Sequence, residues 1–163
     1  MDGVIGIVFN DRRDQILLVK RRDVPVWVLP GGGIEKGETP EKAIVREVFE
    51  ETGYKTGVLR KVAEYTHTKS GRKSLVYECE ILSGKARTSD ESKAVRFFSI
   101  GHLQDKIYPL HSGWIQDGLT NQKKVIRASY VGVTSAMLLR QLFSHPVVVF
   151  RYLLVKIGLR INT

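Results

Sequence analysis

Apolar and polar positions along this chain fall into short blocks whose spacing changes from strand-like to helical and back. The run VIGIVFN, beginning at residue 4, is almost continuously apolar, the pattern of a strand buried on both faces. DRRD then reads as a turn and QILLVK as a second strand, so residues 4–20 predict a β-hairpin. WVL predicts a short strand stopped by Pro30. Thr39 and Pro40 predict a helix start, because threonine caps free amides and proline tolerates the first helical position. Gly53 predicts its end. GVLRKVAEYTH and SLVYECEIL predict two more strands joined by TKSGRK, and AVRFFSI another. In the second of these, Leu75, Tyr77, Cys79 and Ile81 alternate with Glu78 and Glu80, which predicts one buried face. Strands around a central helix, with helices at the C-terminal end, predict an α/β fold of sandwich type with a mixed sheet.

Within the predicted helix, Glu47, Glu50 and Glu51 fall at roughly 0°, 300° and 40° when successive residues are placed about 100° apart. Ile44, Val45, Val48, Phe49 and Thr52 take the other side. The three acids repel one another unless something positive lies among them, and hard divalent cations favour such oxygen ligands. The preceding GGIEKGET has the spacing of a phosphate-binding loop, but Glu38 stands where that loop needs lysine, and a carboxylate there repels phosphate.

Length and charge narrow the picture further. A chain of 163 residues predicts one compact domain with an added element. The single cysteine, Cys79, excludes a disulfide framework and a cysteine-rich zinc site, and a reducing cytosol is the expected compartment. The N-terminus lacks the charged and apolar regions of a leader, so secretion is not predicted. Of the net charge of +9, residues 1–120 contribute about +2, with 19 basic residues against all 17 acids. Residues 121–163 hold the other 7 basic residues and no acid. The basic excess therefore points to a local anionic partner of the C-terminal segment.

Residues 32–54 resemble the Nudix box, G-x5-E-x7-R-E-U-x-E-E-x-G-U, where U is a bulky aliphatic residue. Gly32, Glu38, Arg46, Glu47, Val48, Glu50, Glu51 and Gly53 match, and Tyr54 departs as an aromatic. The resemblance implies an α/β/α sandwich over residues 1–120 that uses Mg2+ or Mn2+ to hydrolyse a pyrophosphate bond. The substrate class is a nucleoside diphosphate linked to another moiety, and water attacks phosphorus. It implies metal ligation by Glu47, Glu50 and Glu51 with the Gly31 carbonyl as a further ligand. Arg46 would orient Glu47 or hold the helix, and Glu38 would brace the loop beside Gly32 and Gly53.

Other candidates rest on position. The resemblance also implies a general base or further metal-binding acid in a loop after the box and before a strand like AVRFFSI, where Glu91 is the nearest candidate, with Glu47 the other choice for the base. Arg21, Arg22 and Lys36 could grip phosphates, and Trp27 could stack on a base or pack in the core. The four histidines, among them His111 and His145, lack a ligand spacing, and no Ser, His and Asp triad is visible. Residues 121–163 read as a basic, apolar helical extension with two runs broken at His145 and Pro146. Neither run reaches the roughly 18 uncharged apolar residues of a spanning helix. The extension could pack on the sandwich, form a homodimer contact or lie on an anionic membrane surface. Alternative activities are hydrolysis of dinucleoside polyphosphates, inositol pyrophosphates or RNA 5′ ends, which keeps nucleic acid among the partners. A nucleotide-binding sensor without turnover is the alternative outside the enzyme class.

Overall fold

The computed structural model describes residues 1–103, 107, 109–120, 123–132 and 146–159. Among the described residues, eight strands form two sheets: β1 (Gly3–Val8), β2 (Gln15–Arg21), β3 (Trp27–Val28), β4 (Gly31–Gly33), β5 (Tyr54–His67), β6 (Lys73–Gly84), β7 (Ser92–Ser99) and β8 (Ile126–Tyr130). The larger sheet has the order β4-β1-β6-β5-β8 and the smaller one β3-β2-β7. The pairs β1 with β6 and β5 with β8 are parallel and the others antiparallel, so the sheet is mixed as predicted. The helices are α1 (Pro40–Thr52), α2 (Pro109–Leu119) and α3 (Pro146–Lys156).

Two apolar cores explain the layering. Val4 and Val8 of β1, Leu17 of β2 and Leu75, Tyr77 and Cys79 of β6 pack with Ala43, Ile44 and Val48 of α1. Ile7, Ile16, Leu18, Val62 and Val76 pack instead with Trp114 and Ile115 of α2. Alternate residues of one strand thus serve opposite cores, as the twofold period of a strand requires.

The predicted hairpin over residues 4–20 does not form. A turn at 10–15 is present, with the Gln15 carbonyl accepting from the Asn10 N–H at 3.1 Å, but only Phe9 and Ile16 bridge the strands. β1 then enters one sheet and β2 the other. Both strands are apolar on two faces, and separate sheets allow each to be covered on both sides. Similarly, the glycines that open the loop-like GGIEKGET are not loop in the structure: Gly31–Gly33 pairs with β1 as a short edge strand.

Glu78 also departs from its predicted solvent position: it is 3% exposed. Its Oε1 accepts from Arg13 Nη1 and its Oε2 from Arg60 Nε at 2.8 Å, and Arg60 also donates to the Gly118 carbonyl at 2.8 Å. Two arginines therefore compensate the buried charge, which alternation alone could not reveal. Helical structure is found at 146–156, but β8 shows that the segment after residue 120 is not helical throughout and that the sheet continues into it. The first predicted apolar run, with His145, lies outside the described residues.

Glu78→Ala should lower the unfolding free energy by about 2 kcal/mol, because it removes the buried carboxylate that the partly buried Arg60 and the more exposed Arg13 both bind. Urea denaturation measures this. Lys73→Ala, which breaks the exposed pair with Glu64, should leave the midpoint nearly unchanged.

Candidate active site

The acidic helix begins and ends where the sequence predicts. Thr39 accepts from the Lys42 N–H at 3.3 Å, Pro40 occupies the first turn, and Gly53 takes the left-handed conformation (φ 80°) that closes the last turn. Ile44 and Val48 face the core. Two positions differ from the predicted division: Glu51 is buried at 6% exposure, while Phe49 is 37% exposed and lies beneath the Arg87 guanidinium.

Arg46 joins this helix to the glycine segment. Its Nε donates to Glu38 Oε1 at 3.0 Å, and Nη2 donates to Glu38 Oε2 and to the Gly33 carbonyl, each at 3.0 Å. Its Nη1 donates to Glu47 Oε1 at 2.9 Å and Glu50 Oε2 at 3.1 Å. All the donors of a guanidinium are used. Glu38 also closes its own turn, accepting from the Glu35 N–H through Oε2 at 3.1 Å, while Gly37 supplies the positive φ of 83° that the turn requires. The Arg46 bond holds the Glu38 carboxyl below its ordinary range, and Glu38 in turn raises the Arg46 guanidinium. Glu38 and Arg46 thus tie the turn at residues 35–38, the Gly33 carbonyl and the helix together.

Glu47 and Glu51 line the same segment. A Cβ at Gly32 would fall 2.4 Å from the Glu47 carboxylate, so the missing side chain makes the space that the acid fills. The Gly31 N–H donates to Glu51 Oε2 at 2.9 Å. Burial raises the Glu51 carboxyl to about 7, and the charges of Glu47 and Glu91 push the same way while the Gly31 N–H and Arg21 oppose them. Burial likewise raises Glu47, with Glu50 and Glu91 adding to it and Arg46 opposing. Glu91, exposed in the turn before β7, is thereby brought electrostatically to the cluster. Glu50 is more exposed than Glu47 and Glu51, with 56% of its side chain accessible.

The remaining predicted contacts separate. Arg21 binds Asp23 through Nε at 2.8 Å and Nη2 at 2.5 Å, and its charge reaches Glu51 and Glu91. Arg22 donates from Nε to the Ser89 carbonyl at 3.0 Å and from its N–H to the Glu91 carbonyl at 3.0 Å, fastening the loop that carries Glu91. Lys36 is exposed. Trp27 stands edge-on to Phe98, 4.6 Å between ring centres, and packs against the α2-side core. His111 is structural: its Nδ1 accepts from the Leu29 N–H at 2.9 Å, and burial lowers its pKa to about 3.

Three positioning residues were missed. Asp23 sets Arg21; Ser92 is buried and donates to the Glu51 carbonyl at 2.7 Å; Arg87 donates its N–H to the Thr52 carbonyl at 2.8 Å. Only Asp23 left a trace in the sequence, as an acid directly after two arginines.

The sequence model of the NUDIX domain matches residues 1–118. The chain belongs to the Nudix family. A Bacillus subtilis protein named a provisional 8-oxo-dGTP diphosphatase is 38% identical over 116 residues, spanning 71% of this chain and 77% of the relative. An ADP-ribose pyrophosphatase of Methanocaldococcus jannaschii is 34% identical over 108 residues, 62% of this chain and 63% of the relative. The solved structure of an ADP-ribose pyrophosphatase from Streptococcus suis shares the fold at a TM-score of 0.65 and 24% identity, covering 78% of this chain and 97% of that one. Nudix enzymes hydrolyse nucleotide pyrophosphates and use divalent metal ions.

The residues present fit such an ion by donor type and charge. Glu47 Oε2, Glu50 Oε1 and Glu51 Oε1 accept no hydrogen bond among the described residues, and the crowding of these acids favours a cation. They do not form a closed cage: among the described residues no three His, Cys, Asp or Glu side chains converge as a metal cluster.

Gly32→Ala should displace the Glu47 carboxylate and lower turnover by about a hundredfold, the order of loss expected from an ångström-scale misplacement. Steady-state rates and thermal melting on the same samples check this, with melting little changed.

Proposed function

We propose that this Nudix enzyme hydrolyses the phosphoanhydride of a nucleoside diphosphate linked to another moiety. The observation that supports it most is the joining of the acidic helix to the glycine segment by Arg46, which sets Glu47 against Gly32 and leaves one oxygen each of Glu47, Glu50 and Glu51 without a hydrogen bond among the described residues. The names of the relatives span a modified nucleoside triphosphate and ADP-ribose, and the bond type is common to both.

In this reading Glu47, Glu50 and Glu51, with the Gly31 carbonyl, hold Mg2+ or Mn2+, hard ions suited to an all-oxygen set. When bound, such an ion neutralises phosphate oxygens and lowers the pKa of water. Arg21, kept in one orientation by Asp23, presents positive charge to the substrate phosphates. Glu47 or Glu91 takes the proton of the water that attacks phosphorus. Arg46 and Glu38 keep the acids and the segment in register. A cytoplasmic setting belongs to the same proposal and agrees with a single, buried thiol, Cys79.

Glu47→Gln and Glu51→Gln should each lower turnover by at least about a hundredfold with the fold retained. Chelation should abolish activity and magnesium or manganese restore it. A screen over nucleoside triphosphates, nucleotide sugars, dinucleoside polyphosphates and triphosphorylated RNA, run in heavy-oxygen water, should place the label on a phosphate product. Label confined to a sugar carbon, or near-wild-type rates in both variants, would refute the reading.

A further inference from the structure

Helix α3 carries its apolar surface on the side where a surface helix normally carries charge. At about 100° per residue, Val147, Phe150 and Leu153 of α3 and Ile157 in the turn that follows, whose N–H still donates to the Leu153 carbonyl, fall within an arc of roughly 120°. They are 62%, 60%, 46% and 72% exposed. Val149, on another side, is buried, and Arg151 turns toward the body, where Nη1 donates to the Arg22 carbonyl at 3.4 Å. Large apolar side chains side by side on one face make a patch, unlike apolar residues scattered singly over a surface.

Charge decides what can cover this patch. Residues 121–163 contain 7 basic residues and no acid. A twofold contact between copies sets the same surface against itself, and here it would bring two acid-free segments together. An anionic bilayer answers both features, because the apolar side chains enter the boundary of the acyl region while Lys156, exposed at the end of this acid-free helix, meets the headgroups. No helix of the described residues is long and apolar enough to cross a membrane, so the geometry is that of a helix lying in the interface plane.

We propose that α3 docks this protein on an anionic lipid surface through Val147, Phe150, Leu153 and Ile157. The docking is independent of the substrate reading, since none of these residues belongs to the acidic cluster.

The full chain should be floated with phosphatidylcholine vesicles made with and without phosphatidylglycerol. Binding should be at least about tenfold stronger to the anionic vesicles and should fall as salt is raised. The double variant Phe150→Ser, Leu153→Ser should bind at least about tenfold more weakly, with melting and hydrolysis rate unchanged. Phe150→Trp should show blue-shifted emission on anionic vesicles only. Equal partition into both vesicle types, or wild-type binding by the double variant, overturns the proposal. So does a dimer in sedimentation that Phe150→Ser dissolves, which would assign the face to a second copy.

Discussion

One guanidinium ties the acidic helix to the backbone segment that faces it. Arg46 meets Glu38, Glu47, Glu50 and the Gly33 carbonyl at 2.9–3.1 Å, and it is the only side chain among the described residues that bonds to both the turn and the helix acids. Without it, the cost of crowding carboxylates near a buried Glu51 would push the turn and the helix apart. A planar fork is needed because the acceptors lie on both sides of the helix start, and a point charge cannot serve them together.

The sheets supply the rest of the placement. β4 lacks side chains, so the carboxylate of Glu47 approaches its backbone directly, and the pairing of β4 with β1 fixes that backbone to the core. Ser92 and Arg87 secure the other end of α1 by bonds to the Glu51 and Thr52 carbonyls. The acids are therefore held from both ends of the helix, with burial raising the carboxyls of both Glu47 and Glu51.

Local signals were legible in the sequence and partnerships were not. Thr39, Pro40 and Gly53 act through their own backbone, so the limits of α1 could be read directly. The box spacing likewise placed Glu38, Arg46 and Glu47 together. The fate of β1 and β2 depended on strands far along the chain, and a short turn between apolar runs looks alike whether the strands pair or diverge. Glu78 read as solvent-facing because its compensating arginines lie 65 and 18 residues away. Ser92 gave no signal, since one hydroxyl reaching a helix carbonyl imposes no pattern on its neighbours. β8 was hidden within a segment whose composition suggested helices.

The most direct test is the magnesium dependence of turnover in Arg46→Lys. A lysine keeps the positive charge but cannot fork onto Glu38 while reaching Gly33 and Glu47. Turnover should drop by about a hundredfold, more magnesium should be needed for half-maximal rate, and the melting temperature should stay within a few degrees of wild type. Wild-type turnover and wild-type magnesium dependence in that variant would show that charge alone suffices and would contradict the central role of the fork.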